Sequence, residues 1–295
     1  MINYNPKEWF TFIFHFHKAD TFRKLFPMLI AIGAYAGFIA YLEVEVLRLG
    51  DDSHVKNIPA MHGMLGFVIS MLLVFRTNTA YDRWWEGRRN WGALTNTSRN
   101  LAIKVQAMIP KTMIEERRMI EKLIVEYAFA LKRHLRGNQN DSELFISAYK
   151  VKPEFHKPNF IAKLLTEKIQ ELHKSQILTG KQLLFINEEI RTFTDICGAC
   201  ERIRNTPIPF SYTAFLKKFI FFYVMTLPFG YVFTLGYIVI PVVVFVFYVL
   251  ASLELIAEEI ENPFGTDAND LPLAQMCKNI QKHVGEIFQE ESVLR

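Results

Sequence analysis

Charged residues are missing from three long stretches of this sequence. No Asp, Glu, Lys or Arg occurs at positions 25–42, 57–75 or 219–253, although charged residues make up 22% of the 295-residue chain. About 20 apolar helical residues are enough to cross the hydrocarbon core of a membrane. Uncharged runs of this length therefore predict membrane-spanning helices, and the alternative is a set of helices buried in a soluble core.

Catalytic and nucleotide-binding motifs are also missing. The sequence contains no HExxH, GxSxG, GxGxxG or P-loop pattern, and each of these patterns supports a specific chemistry. The net charge is only +4, without the alternation of basic and aromatic residues that is typical of nucleic-acid binding. We therefore predict no catalytic residues, no enzymatic activity and no nucleic-acid partner.

Cysteine is scarce, with three residues at positions 197, 200 and 277. The spacing of Cys197 and Cys200 fits half of a redox or zinc site. No second CxxC and no HxxxH pattern accompanies the pair. We expect all three cysteines to be packing thiols on helices.

The third uncharged stretch is too long for one membrane crossing. Its 35 residues would form a helix about 52 Å long, at about 1.5 Å per residue. Pro228, Gly230, Gly236 and Pro241 supply breaks inside it, and we predict a turn near 234–236. The predicted passes then number four, at about 26–47, 58–76, 213–233 and 237–257.

The basic residues predict the orientation of these passes. The loop at 45–59 carries only Arg48 and Lys56, so 32 of the 34 lysines and arginines lie on the other side. Basic residues concentrate on the cytoplasmic side of membrane proteins. We therefore predict a multi-pass protein of the cell inner (plasma) membrane with both termini in the cytoplasm.

The remaining sequence predicts cytoplasmic helices at about 78–204 and 258–290. The apolar periodicity there is helical, and no alternating run indicates a strand. Thr112 and Glu115 have the spacing of a capping box that would open one of these helices. The predicted fold class is an all-α membrane protein, organised as a single domain over residues 1–295.

The second pass carries an apolar stripe. Phe67, Met71 and Phe75 are spaced at i, i+4 and i+8, so they share one helical face. Around a symmetry axis such a face forms stacked apolar rings, which can gate a pore by dewetting. Gly63, Gly66 and Ser70 are small enough to let neighbouring helices approach closely.

Three blocks of sequence resemble the bestrophin family. The first runs from Phe75 to Gly92 and includes Arg83-Trp84-Trp85; the second is Asn205-Thr206-Pro207-Ile208-Pro209-Phe210-Ser211-Tyr212-Thr213; the third is Glu261-Asn262-Pro263-Phe264-Gly265. The first block follows the second predicted pass, the second block precedes the third pass, and the third block follows the fourth pass. The resemblance covers about residues 5–285.

The resemblance implies a homopentamer in a lipid membrane, with an ion channel along its axis. By placement against the family signature, Phe67, Met71 and Phe75 match the pore neck, and Ile208 matches the cytoplasmic aperture. Bestrophins are known for conducting chloride and other monovalent anions, which we expect here. A channel of the same fold that selects monovalent cations is the alternative.

The same resemblance bears on calcium. In eukaryotic bestrophins the Asn-Pro-Phe-Gly turn precedes an acidic run that helps to bind calcium. Here Asp267, Asp270 and Asn262 remain, but the neighbouring carboxylates are missing, and calcium requires six to eight oxygen ligands. We therefore expect a weakened site, no calcium control and no cofactor.

Two further hypotheses belong to other classes of protein. A membrane enzyme or metal-handling protein could use the titratable groups His62, Glu254, Glu258, Glu259 and Asp270. Such a site needs these groups to converge in one pocket, whereas they are predicted on different passes. The other hypothesis is a non-conducting scaffold that organises partners at the membrane.

Overall fold

The computed structural model describes residues 21–48, 57–137 and 155–289. Within these ranges the chain forms helices and contains no β-strand, which confirms the all-α fold class. The helices are α1 (Thr21–Tyr41), continued by a π-helical turn (Leu42–Val46), α2 (Ile58–Met108), α3 (Ile114–Arg136), α4 (Lys157–Lys174), α5 (Gly180–Asn205), α6 (Phe210–Leu235), a 3₁₀ turn (Gly236–Ile238), α7 (Val239–Glu261) and α8 (Leu273–Gln289).

The chain divides into two compact units. The first comprises Met1–Trp84, Pro207–Asn262 and Asp267–Asn269, and the second comprises Trp85–Thr206, Pro263–Thr266 and Asp270–Arg295. Each unit is described separately below, and the extent of the predicted single domain stays a prediction. The basic residues Lys7 and Lys18, which support the predicted orientation, lie outside the described residues.

The first unit contains the apolar helices. Its core is formed by α1, α6 and α7, with α1 packed mainly against α7, and by buried side chains such as Leu29, Leu216 and Val243. Large apolar side chains also cover the outside, including Phe222 and Phe245. Soluble proteins rarely expose apolar surface on this scale. Helices that are apolar on both their inner and outer faces are typical of a protein surrounded by lipid.

In the described part of the chain, three helical segments are long and apolar enough to cross a membrane. They are Thr21–Val46, Ile58–Met108 and Phe210–Glu261. The last has 52 residues and is interrupted by the 3₁₀ turn at Gly236–Ile238. Gly236 has φ 53° and ψ −137°, a conformation that is accessible to glycine because it has no Cβ. The turn begins at Gly236, the last residue of the turn predicted near 234–236, because the preceding helix continues to Leu235.

Helix α2 does not end where the second pass was predicted to end. It continues as one helix for 51 residues, from Ile58 to Met108. Its end coincides with Pro110, which has no backbone N–H to continue the helix. Arg117 donates hydrogen bonds to the carbonyls of Ile109, at 3.1 Å from Nε, and Gln106, at 2.9 Å from Nη2. These bonds satisfy carbonyls that the helix terminus would leave unpaired.

The predicted capping box at Thr112 is wrong. The residue that caps α3 is Met113, and its side chain makes no capping hydrogen bond. A complete capping box occurs instead at the start of α5. There the Thr179 hydroxyl accepts from the Gln182 backbone N–H, and the Gln182 side chain accepts from the Thr179 backbone N–H.

The second unit is held together by amphipathic helices, with α3 contacting α4, α5 and α8. At its centre the Tyr127 hydroxyl donates to the backbone carbonyl of Phe193 at 2.6 Å, and the two rings lie 4.7 Å apart. All three cysteines are free and buried. Burial raises the pKa of Cys197 and Cys200 to about 12. They are therefore protonated packing thiols at neutral pH, as predicted.

Candidate functional site

The apolar stripe of α2 lies on the exposed side of that helix. Phe67 is 72% exposed, Met71 45% and Phe75 57%. Two residues of the opposite face, Ile69 and Leu73, are only 1% and 2% exposed because they pack into the core of the first unit. Among the described residues, α2 thus has one face packed into the core and one apolar face that is exposed.

Of the small residues of α2, Gly66 belongs to the packed face, whereas Gly63 and Ser70 are exposed. A Cβ added to Gly66 would lie 2.9 Å from the hydroxyl oxygen of Tyr223 on α6. The Ser70 hydroxyl donates to the Gly66 carbonyl at 2.7 Å. Gly66 therefore admits an aromatic side chain from the neighbouring helix, whereas a Cβ at Gly63 would meet nothing within 4 Å.

His62 is buried and forms hydrogen bonds with both ring nitrogens. Nδ1 lies 3.1 Å from the carbonyl oxygen of Ile58, and Nε2 lies 2.9 Å from the hydroxyl of Thr226 on α6. These two contacts join α2 to α6, so His62 is explained as a link between two helices.

An ion-pair network lies at the cytoplasmic end predicted for the second pass. The side chain of Arg76 is fully buried. Its Nη2 lies 2.8 Å from a carboxylate oxygen of Glu261, and its Nε donates to Glu254 at 3.4 Å. Two carboxylates of α7 thus surround one guanidinium of α2, so the buried positive charge is paired.

Glu261 extends the network to the segment that carries Ile208. Its second carboxylate oxygen accepts a hydrogen bond from the backbone N–H of Ile208 at 2.7 Å. Its backbone carbonyl accepts from Nε of Arg83 at 3.0 Å. One residue at the end of α7 therefore joins two arginines of α2 to the backbone of Ile208. Sequence reasoning missed this connection, although it singled out each of the segments involved.

A second set of polar contacts holds the turn that follows α7. Lys24 of α1 pairs with Glu259 of α7, and Asn269 donates to the other Glu259 oxygen at 2.7 Å. The Trp84 indole donates to the backbone carbonyl of Asn269 at 3.1 Å. The titratable groups proposed for a membrane enzyme thus have separate partners, since Glu259 pairs with Lys24 and His62 with Thr226.

The residues of the weakened calcium turn do not form an acidic cluster. Asn262 and Asp267, in the first unit, are exposed, and Asp270, in the second, is buried. Among the described residues, the group of three histidine, cysteine or carboxylate side chains that could share a metal ion includes neither aspartate. Calcium binding at this turn stays an untested prediction.

Comparison with known proteins settles the family. Residues 1–286 match the family model described as Bacterial/Fungal Bestrophin protein. The chain belongs to the bestrophin family. This match confirms the resemblance that was drawn from three separated blocks of sequence, each next to a predicted membrane pass.

Relatives of this bestrophin in bacteria are named for channel formation. A voltage-dependent anion channel-forming protein of Nostoc sp. is 38% identical over 244 residues, covering 78% of this chain and 80% of the relative. One from Escherichia coli K12 is 29% identical and covers 99% of this chain and 96% of its own length. These names describe channels and no enzymatic reaction, in agreement with the prediction that the chain is not an enzyme.

Solved structures agree with the bestrophin fold. A crystal structure of a bacterial bestrophin homologue from Klebsiella pneumoniae, determined by Zn-SAD phasing, has a TM-score of 0.79 at 28% identity. The match covers 88% of this chain and 97% of that chain. The chain is therefore a membrane protein of bestrophin fold.

Proposed function

We propose that this bestrophin is one subunit of an anion channel, assembled as a homopentamer around an axial pore in the inner membrane. The single observation that carries the proposal is the exposed stripe of Phe67, Met71 and Phe75 on α2. The same helix buries Ile69 and Leu73 within its own chain. The stripe is therefore free to face the axis of an assembly.

An apolar neck follows if α2 lines the pore. Five copies of the stripe would form three successive rings, at residues 67, 71 and 75. Rings one helical turn apart extend over about 12 Å at about 1.5 Å per residue. A narrow apolar passage of this kind opposes the entry of hydrated ions and gates by dewetting.

Ile208 forms the second constriction of the proposed pore. Ile208 is partly exposed, and its backbone N–H donates a hydrogen bond to the carboxylate of Glu261. Glu261 also pairs with Arg76, which follows the neck residue Phe75 directly. In the proposed pore, the carboxylate of Glu261 thus contacts residues at both constrictions.

Preference for monovalent anions is supported by the relatives and by the residues of the neck. The bacterial relatives are named anion channel-forming proteins. The edges of phenylalanine rings carry partial positive charge, which favours anions. The four passes and the cytoplasmic termini follow from the positions of the charges in the sequence. A pore selective for monovalent cations is the alternative.

The test is a bilayer recording of the purified full-length protein under a gradient of sodium chloride. A reversal potential near the chloride value, unchanged when a large cation replaces sodium, would support an anion channel. A value near the sodium potential would replace anion selectivity with the cationic alternative. A correctly assembled oligomer without current would refute the channel and favour the scaffold.

Neck variants test the placement of α2. Replacing Phe67, Met71 and Phe75 together with alanine should widen the neck and raise the open probability or the current. Phe245→Ala is the matched control, because Phe245 has a similar exposure of 65% but lies on α7. Equal currents from the triple variant and the wild type, both in assembled form, would contradict the neck.

A further inference from the structure

Three side chains that commonly bind metals meet in the second unit. His134 lies in the last turn of α3, His156 caps the start of α4, and Glu201 lies near the end of α5. Their ligand atoms all lie within 4.8 Å of one another. One carboxylate oxygen of Glu201 is 2.6 Å from Nε2 of each histidine. The proposed pore makes no use of this cluster.

Backbone contacts fix the three helix ends that carry the cluster. The chain leaves α3 through Gly137, which has a left-handed conformation with φ 67°. Arg204 of α5 donates from Nη1 to the backbone carbonyl of His134 at 2.7 Å. His156 is held as the N-cap of α4, where its Nδ1 accepts from the Asn159 backbone N–H at 3.2 Å. These contacts therefore bring the three helix ends together, and the cap hydrogen bond of His156 is the one that changes when an ion binds.

The donor set suits a divalent transition-metal ion. Imidazole nitrogens with one carboxylate bind zinc and neighbouring metals, and three protein ligands leave a fourth position for water. The side chains of His134, His156 and Glu201 are 27%, 30% and 29% exposed, so a hydrated ion can reach them. Ligands around a tetrahedral metal lie about 3.3 Å apart, given bonds of about 2.0–2.1 Å. Side-chain rotation therefore has to widen the present 2.6 Å contacts.

Two features of the cluster oppose binding of the ion. The guanidinium of Arg204 lies next to the cluster and repels a cation. Ligation of His156 through Nε2 leaves its ring proton on Nδ1, which then cannot accept from Asn159. Metal binding therefore exchanges the cap hydrogen bond of α4 for a metal bond, an effect that can be measured.

We propose that His134, His156 and Glu201 form a binding site for a divalent transition-metal ion, with Zn²⁺ as the representative ion. The bound ion joins the ends of α3, α4 and α5 and leaves one coordination position for water. This site is independent of the proposed channel function, because none of its ligands belongs to the neck or to the network around Arg76.

Cobalt provides a spectroscopic test. The purified full-length protein, without a polyhistidine tag and stripped with a chelator, is titrated with Co²⁺ while the visible absorption of the bound ion is recorded. Zn²⁺ should displace the cobalt and remove the absorption. We expect Glu201→Gln to weaken binding at least about tenfold, the lower end of the effect of removing a group that supports a metal site.

Two variants separate loss of a ligand from loss of structure. His156→Asn removes the imidazole but supplies a residue favoured at the N-cap, so the helix should persist while metal binding is lost. His283→Gln is the control, because His283 pairs with Arg99 outside the cluster. Amide exchange at the first turn of α4 should increase when metal binds to the wild type.

The proposal fails on either of two results. One is a wild-type affinity for Co²⁺ no higher than that of Glu201→Gln. The other is a control His283→Gln that loses as much affinity as His156→Asn, which would indicate binding elsewhere on the surface. Channel current enters neither comparison, so failure here leaves the proposed channel unaffected.

Discussion

Replacing Glu261 with glutamine removes one negative charge from the network around Arg76 while preserving the shape of the side chain. In the wild type, Arg76 lies 2.8 Å from Glu261 and 3.4 Å from Glu254. The variant keeps the longer contact and loses the shorter ion pair. Its amide oxygen can still accept from the Ile208 backbone N–H, and its amide nitrogen, a donor, then faces Nη2 of Arg76 in place of the second carboxylate oxygen.

The burial of the Arg76–Glu261 pair determines how much stability the variant should lose. The side chain of Arg76 is 0% exposed and that of Glu261 is 14% exposed, so water cannot replace the lost partner well. Removing one partner of a buried ion pair costs about 3–5 kcal/mol, and because Glu254 still pairs with Arg76 we expect Glu261→Gln to lower the free energy of unfolding by less than that. Glu261→Ala also leaves the Ile208 N–H unpaired, and we expect about 3–5 kcal/mol.

Equilibrium unfolding in mixed detergent micelles measures the loss, with Glu258→Gln as the matched control. Glu258 lies on the same helix and pairs with Lys217 at 2.8 Å, but both side chains are about half exposed. Exposed pairs contribute about 0–1 kcal/mol. Equal losses for Glu258→Gln and Glu261→Gln would refute the argument from burial, because the exposed Lys217 pair should contribute less than the buried Arg76 pair.

Two further predictions concern packing and ionisation. Gly230→Ala should lower the free energy of unfolding by about 1–3 kcal/mol through overpacking, because the new Cβ would lie 2.5 Å from the rigid Pro59 ring. Gly63→Ala should raise the free energy of unfolding by about 0.5–1 kcal/mol, because the new Cβ would meet nothing within 4 Å. Equal unfolding midpoints for these two variants would contradict the contact. Burial raises the pKa of Cys277 to about 12, so its thiol should resist iodoacetamide at pH 8 until the protein unfolds. In the unfolded protein the pKa of the Cys277 thiol is about 8.5. Burial of the protonated thiol therefore makes its full contribution to stability below about pH 8.5, and this contribution is lost as the pH rises towards the folded pKa of about 12. Rapid labelling of the folded protein at pH 8 would contradict the burial of this thiol.

The apolar helices could be located from the sequence because lipid excludes charge over a defined length. The predicted turn near 234–236 coincides with the positive φ of Gly236. The end of a membrane pass is harder to recognise, because a helix does not stop where the solvent changes. Between Pro59 and Pro110 no proline interrupts α2, so its backbone continues although its side chains become polar.

Local motifs were a poorer guide to the helix ends. Thr112 and Glu115 have capping-box spacing, yet α3 begins after Met113, because spacing does not specify the backbone conformation of the cap. Thr179 and Gln182 form the reciprocal pair instead. The same spacing of polar residues occurs at both helix starts, and the backbone conformation at the cap decides which of them forms a capping box.

Long-range polar contacts were not accessible to sequence reasoning. Arg76 and Glu254 are 178 positions apart, and His134 and Glu201 are 67 apart. A single sequence contains no signal that pairs such residues. The available signal was weaker: a charge next to an apolar run needs a partner, and Arg76 stands directly after the uncharged stretch that ends at Phe75.

The short turn between α6 and α7 has a consequence for biogenesis. Only Gly236–Ile238 separates the two helices, which pack against each other. Closing so short a connection costs little chain entropy, so the two helices can pair as soon as both have left the ribosome. The insertion machinery would then release them into the bilayer as one hairpin. A residue with a Cβ at position 236 would strain the turn that closes this hairpin, since Gly236 has φ 53° and ψ −137°.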